Sequence, residues 1–525
     1  MKLSEMTLEQ KVGQVICAGY PGPAADEGIK SLIRDRHLGN IILFQRNFED
    51  CGQLYDTIKE LQEEAAKSNG IPLFVGIDQE GGYVTRLWNG ATVFPGAMAC
   101  AATGNPEYAK LIGSSMGAEL KALGININFA PVLDINTNPD NPVINTRSYG
   151  DDKETVAAFG AACCEGLQKH VLAAAKHFPG HGDTHQDTHL TLPTMDFPKE
   201  RLDSVELYPF IKLVESGVKA IMTSHVIYPA YDDSGVPATL SEPILTGILR
   251  NRLGFEGIII TDCMEMNAIK DFYGTVEASK KALAAGADIV LICHTKERQA
   301  EAIEALKQAV MEDPALMKKL DAAVERILRY KAELPETPSK EEMAERFELG
   351  IHRTYSESVA QKSITLYRGV LEPFGADEAM NAVFFNTSTG LTGVENRSTR
   401  GRGDLEGSFK AAFKQANMLS MPADPGAELT NKLMGNLQKD ARTVIFSFNA
   451  STFPGQAEAI NRILEAQPGA LVVAMRSPYD IHRFEQVKNY VLAYDYTPPA
   501  IDAVVAALQG QFEPSGKSPV GLEPR

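Results

Sequence analysis

Eight short apolar runs punctuate the chain between residues 15 and 294: VICAGY (15–20), IILF (41–44), LFVGID (73–78), INFAPVLDI (127–135), LAAAKHF (172–178), AIMTSH (220–225), GIIITD (257–262) and DIVLICH (288–294). A polar or Gly/Pro-rich loop follows each, then a helical pattern such as ERLDSVELYPFIKLVESG or TVEASKKALAAGA. Runs like GIIITD lack the alternation of a strand with one wet face, as expected where both faces are buried in a parallel sheet. Eight strand-then-helix units predict a (β/α)8 TIM-type barrel. An open, doubly wound sheet is the structural alternative.

In such a barrel the chemistry sits at the carboxyl ends of the strands. Those ends carry Asp78, Asp134, Lys176 with His177, His225, Asp262 and His294. Each alone reads equally as a strand-end cap, but together they predict one mouth lined with ionisable groups.

The densest stretch is KHFPGHGDTHQDTHL (176–190), with four histidines. Pro179, Gly180 and Gly182 break a helix, so the stretch reads as a loop. On a helix, His181, His185 and His189 would form a metal ladder. In extended chain, residues two apart share a side, so Asp187-Thr188-His189 places a carboxylate beside an imidazole and fixes its tautomer. Asp183-Thr184-His185 is a second copy, and spacing does not choose between them. Asp262 ends an apolar run and reads either as a nucleophile towards an anomeric carbon or as a solvated loop cap. In IDQEGGYVTRLW (77–88), Asp78 and Arg86 suit sugar hydroxyls or each other, and Trp88 suits a sugar face or the core. Arg147, in NTRSYG, offers a forked donor or a surface ion pair.

The helix DPALMKKLDAAVERILRYKAEL closes the barrel pattern, giving a catalytic domain over 1–333. Residues 334–349, with two prolines and a charge run, read as a linker. From 350 to 525, SITLYR, AVFFNTS, RTVIFSFNAS, ALVVAMRSP and YVLAYDYT alternate with helical stretches such as FPGQAEAINRILEAQ. They predict a smaller three-layer α/β sandwich. The net charge of −17 argues against nucleic acid or an anionic membrane as partner. MKLSEMTLEQ lacks the apolar core of a signal peptide, and no apolar stretch has bilayer-spanning length. Seven scattered cysteines without a CxxC pair suit reduced thiols, so the expected setting is cytoplasmic.

These motifs together resemble the bacterial β-N-acetylglucosaminidases of glycoside hydrolase family 3. The resemblance runs through IDQEGGYVTRL, FAPVLDIN, INTRSYG, KHFPGHGDTHQDTH, MTSHVIYP and ITDCMEM, and into SITLYR, RSPYD and YDYTPPAIDA. It implies Asp262 as nucleophile and His189, assisted by Asp187, as general acid/base, selecting the second Asp-Thr-His copy. It implies Asp78, Arg86, Arg147, Lys176 and His177 as the groups holding the sugar at the −1 subsite. The implied activity is exo-acting, retaining release of terminal β-linked GlcNAc from an oligosaccharide or a muropeptide, as in peptidoglycan recycling, with no metal or cofactor. A phosphorylase using phosphate in place of water is one alternative. A β-glucosidase or β-xylosidase of the same family is another, though those generally draw their acid from the second domain. Readings outside the family are a metal-dependent amidohydrolase-like barrel and a sugar-binding protein without catalysis. Two positions depart from the family pattern: Tyr83 stands where arginine is common, and Cys263 where aspartate or another small residue is usual.

Overall fold

The computed structural model describes residues 2–184, 192–335, 337–347, 350–386 and 403–523. Strands β1 (Ile16–Ala18), β2 (Asn40–Leu43), β3 (Phe74–Ile77), β4 (Ile127–Asn128), β5 (Leu172–Phe178), β6 (Ala220–Thr223), β7 (Ile258–Cys263) and β8 (Ile289–Ile292) form a closed barrel. Neighbours are parallel, and β8 returns to β1 with Ile16 opposite Val290, so the sheet is not an open one. The strand residues are buried except Asp262, which is half-buried; this is the pattern of apolar runs covered on both faces. The flanking helices are amphipathic and capped. Glu27–Arg36 starts at Asp26, whose Oδ1 accepts from the Ile29 amide at 2.9 Å, and buries Ile29, Leu32 and Ile33.

Register breaks fall between Ala175 and Phe178 on β5 and between Ile260 and Cys263 on β7. Irregularities of this kind re-aim side chains near functional sites. Here they bracket Lys176–His177 and Asp262.

A second sheet contains β9 (Thr365–Arg368), β10 (Met380–Phe385), β11 (Asn417–Met421), β12 (Arg442–Ser447), β13 (Leu471–Ala474) and β14 (Asn489–Leu492). The order is β11-β10-β12-β13-β14-β9, parallel except for β9 against β14. Alternate residues feed two separate cores. Ala382 and Phe384 pack with Phe409, Ile501 and Val504, whereas Val383 and Phe385 pack with Ile460, Ile463 and Leu464. The unit is therefore a three-layer sandwich. Strand β11 was not anticipated. NMLSM lies at the sheet edge with only Met421 buried, so it carries little apolar signal.

Within 334–349, Lys340–Phe347 is helical and Met343 is buried in the barrel's apolar cluster. The sandwich packs against a loop and a short helix (Ala97–Ala102) on the mouth side of the barrel. Tyr83 and Val84 join one of its cores, and Met98, Ala99 and Ala102 join the other. Asn136 Nδ2 donates to the Tyr479 hydroxyl at 2.9 Å. Among the described residues, no helix is long and apolar enough to cross a membrane.

Candidate active site at the barrel mouth

The turn after β3 is built by local chemistry. Asn128 brackets Gln79, with Oδ1 accepting from the Gln79 amide at 3.0 Å and Nδ2 donating to its carbonyl at 2.8 Å. Gln79 Oε1 in turn accepts from the Arg86 amide at 2.8 Å. Gly81 and Gly82 have φ of +91° and +58°, and a Cβ at Gly81 would strike the Pro95 carbonyl. This tight return places Asp78, Glu80 and Arg86 side by side.

There they meet two cations from other strands. Lys176 Nζ lies 2.7 Å from Asp78 Oδ1 and 2.7 Å from Glu80 Oε1. Arg147, on the turn Asn145–Arg147, grips Glu80 with Nε and Nη2, both at 2.8 Å, and Arg86 Nη2 stands 3.9 Å from Asp78. Four of the five expected sugar-holding residues are thus one ion cluster, with Glu80 at its centre. Sequence reading missed Glu80, because the strand-end rule stops at Asp78; the acidic residue preceding Gly81 in DQEGG was the available signal. Asp78 is the most open member, its side chain 16% exposed against 2% for Lys176 and 6% for Glu80. Burial pushes the Glu80 carboxyl up, but Arg147 and Lys176 more than offset this and hold it well below the usual carboxylate range. Burial likewise works against the Lys176 charge, and Asp78 and Glu80 outweigh it, so the ammonium persists.

The fifth residue, His177, belongs to a neighbouring group. Its Nδ1 is 2.7 Å from Asp134 Oδ2, and Asp134 Oδ1 accepts from the amides of His177 (3.2 Å) and His181 (2.7 Å). Asp134 is fully buried; burial raises its pKa, but His177 and these bonds bring it below the ordinary value. The root of the long loop is tied down residue by residue. His181 Nδ1 lies 2.8 Å from Thr184 Oγ1, and Asn141 Nδ2 donates to the carbonyls of His181 and Gly182. Asp183 Oδ2 accepts from Thr137 Oγ1 at 2.7 Å and from Arg201 at 3.3 Å. Burial pushes the His181 imidazole down to about 4. His185, Asp187 and His189 lie outside the described residues. His181 itself sits in a turn, not on a helix, contrary to the geometry a metal ladder requires.

Asp262 stands half-buried at the end of β7, with Oδ1 accepting from the Cys263 amide at 2.7 Å. The two histidines nearby differ in kind. His225 is wholly buried; its Nε2, 3.0 Å from the Cys263 carbonyl, must donate, so this ring braces the end of β7. His294 is exposed against Phe44, with Nδ1 3.2 Å from Arg46, which can only donate. Burial pushes the Cys263 thiol up, yet bonding to Cys293 and His294 brings it down to about 6. Tyr83 serves the domain contact: Arg476 stacks over its ring at 4.0 Å, and its hydroxyl approaches the Ile144 carbonyl at 3.4 Å. Trp88 packs edge-on to Phe48 beside the barrel core, which is the core reading of that residue.

The profile described as "Glycosyl hydrolase family 3 N terminal domain" matches residues 7–330. The chain belongs to glycoside hydrolase family 3. As a glycoside hydrolase it has relatives along its whole length. β-Hexosaminidase A of Pseudoalteromonas piscicida is 30% identical, covering 94% of this chain and 90% of that one. A β-N-acetylglucosaminidase/β-glucosidase of Cellulomonas fimi is 29% identical, covering 99% and 94%. The solved family 3 β-N-acetylglucosaminidase from Paenibacillus sp. str. FPU-7 superposes with a TM-score of 0.89 at 39% identity, covering 98% of this chain and 99% of that one. Both the barrel and the sandwich are therefore shared with a two-domain family 3 enzyme.

Proposed function

We propose that this glycoside hydrolase is an exo-acting, retaining β-N-acetylglucosaminidase that removes terminal β-linked GlcNAc from oligosaccharides or muropeptides. The observation that carries the reading is the ion cluster of Asp78, Glu80, Arg86, Arg147 and Lys176 at the strand ends that also present Asp262. A sugar ring is gripped by many hydroxyl contacts, and forked or ammonium donors beside a partly open carboxylate supply them. The name of the Paenibacillus relative and its full-length likeness support GlcNAc as the sugar. We assign catalysis to the barrel, residues 1–333, joined through 334–349 to the sandwich, residues 350–525.

In the first step the Asp262 carboxylate forms a bond to the anomeric carbon while the glycosidic C–O bond breaks and the departing oxygen takes a proton from His189. In the second, water gives a proton to His189 and its oxygen displaces Asp262, restoring the β configuration. Asp187 orients the imidazole. Asp183 is committed to Thr137 and Arg201, which favours the second Asp-Thr-His copy over the first. Asp78, Arg86, Arg147, Lys176 and His177 hold the ring hydroxyls.

The test compares aryl β-GlcNAc with aryl β-glucoside, with and without phosphate. A preference of at least about tenfold in kcat/KM for GlcNAc is expected, about 1.4 kcal/mol of transition-state discrimination. Equal or reversed preference refutes the assignment of the sugar. Turnover that requires phosphate refutes water as acceptor.

A further inference from the structure

We propose that Glu80 is a positioning residue for the sugar site, setting the Lys176 ammonium and the Arg147 guanidinium in place without itself reaching the sugar. The inference rests on the mouth being the sugar site, as proposed above. Glu80 is occupied on both oxygens: Oε1 takes Lys176 Nζ at 2.7 Å and Arg147 Nη2 at 2.8 Å, and Oε2 takes Arg147 Nε at 2.8 Å. Three N–H donors thus fill three of the four acceptor positions of its carboxylate, so its hydrogen bonding is spent mainly on Lys176 and Arg147.

Its partners keep donors in hand. An ammonium has three N–H groups; Lys176 spends one on Asp78 and one on Glu80. A guanidinium has five; among the described residues Arg147 spends two on Glu80 and one on the Val143 carbonyl at 3.1 Å. Among the described residues, one N–H of Lys176 and two of Arg147 are left to meet hydroxyl oxygens, at positions fixed by the Glu80 carboxylate. The bidentate grip on Arg147 fixes the plane of the guanidinium as well as its distance. Glu80 also keeps two buried cations from repelling each other, since Asp78 pairs with Lys176 but not with Arg147.

Glu80→Gln keeps the shape, removes the charge and turns an NH2 towards a donor. KM for aryl β-GlcNAc should rise by about tenfold or more, and inhibition by free GlcNAc should weaken by a similar factor, since the lost interactions are charge-assisted. In an Arg147→Met background the same change should cost a clearly smaller factor, because a partner through which Glu80 acts is gone. If Glu80→Gln does not fold, Glu80→Asp, which keeps the charge but cannot span both cations, should show the same rise in KM to a lesser degree. Unchanged KM and GlcNAc inhibition in a folded variant, with only stability lowered, overturns the inference; so does full additivity with Arg147→Met. Wild-type enzyme inactive on both aryl glycosides would instead sink the functional reading, so the two failures are distinguishable.

Discussion

His181 should make the barrel acid-sensitive. The ring is buried beside Asp134, His177 and Arg147, and its Nδ1 contacts Thr184 Oγ1 at 2.8 Å. Burial lowers its pKa from 6.5 to about 4, against the opposing pull of Asp134. The folded state therefore favours the neutral ring. Its contribution is fully present above pH 6.5 and is lost as the pH falls towards 4, where the unfolded chain takes up a proton that the folded chain refuses. At 1.36 kcal/mol per pH unit, that interval amounts to about 3 kcal/mol. Asp134 acts in a lower window: its folded pKa is depressed, so its contribution persists above about 4 and fades only below it. Calorimetric Tm should be followed from pH 7.5 to 4.5 for wild type and His181→Gln. The variant should start lower, having lost a buried partner for Thr184, yet fall by a few degrees less across the interval. Parallel curves for the two proteins would refute the assignment of this sensitivity to His181.

Asp262→Ala should retain the wild-type Tm within a degree or two and lose at least about 10³-fold in turnover, since covalent catalysis has no substitute nucleophile. A 5-fluoro or 2-deoxy-2-fluoro glycoside should label a peptide containing Asp262, and label confined to another carboxylate would contradict the role. His189→Ala should lose about 10²–10⁴-fold on a sugar leaving group while a dinitrophenyl glycoside still reacts quickly, and azide should restore turnover with a β-glycosyl azide as product. Asp187→Ala should give a weaker form of that pattern and His185→Ala none. Azide rescue in His185→Ala but not His189→Ala would transfer the role to the first copy.

The barrel was legible because parallel strands buried on both faces leave unbroken apolar runs, and each of the eight runs overlaps one strand. The run INFAPVLDI promised a long strand, but β4 pairs regularly only over Ile127–Asn128; Pro131, which has no N–H to give a ladder, interrupts it. Strand β11 was invisible because an edge strand with polar, half-exposed residues carries neither period. Members of the ion cluster were legible where they end strands, as Asp78 and Lys176 do. Glu80 was not, because its partners lie 67 and 96 residues away and only the closed barrel brings β3, β5 and the Arg147 turn together. The role of Tyr83 was equally hidden, since its partner Arg476 belongs to the second sheet's domain.

Three strand-end aspartates look alike in sequence, and burial separates them. Asp134 is wholly enclosed and accepts three hydrogen bonds from His177 and His181; it cannot touch a sugar, and its stabilised charge makes it a poor base. Asp78 is partly open and leans on Lys176 at 2.7 Å, which orients its carboxylate. Asp262 sits on β7, within a register break, half-buried and with Oδ1 accepting from a backbone amide. The same residue type at three strand ends thus divides into an enclosed Asp134, an ion-paired and partly open Asp78, and a half-buried Asp262 whose Oδ1 accepts from the Cys263 amide.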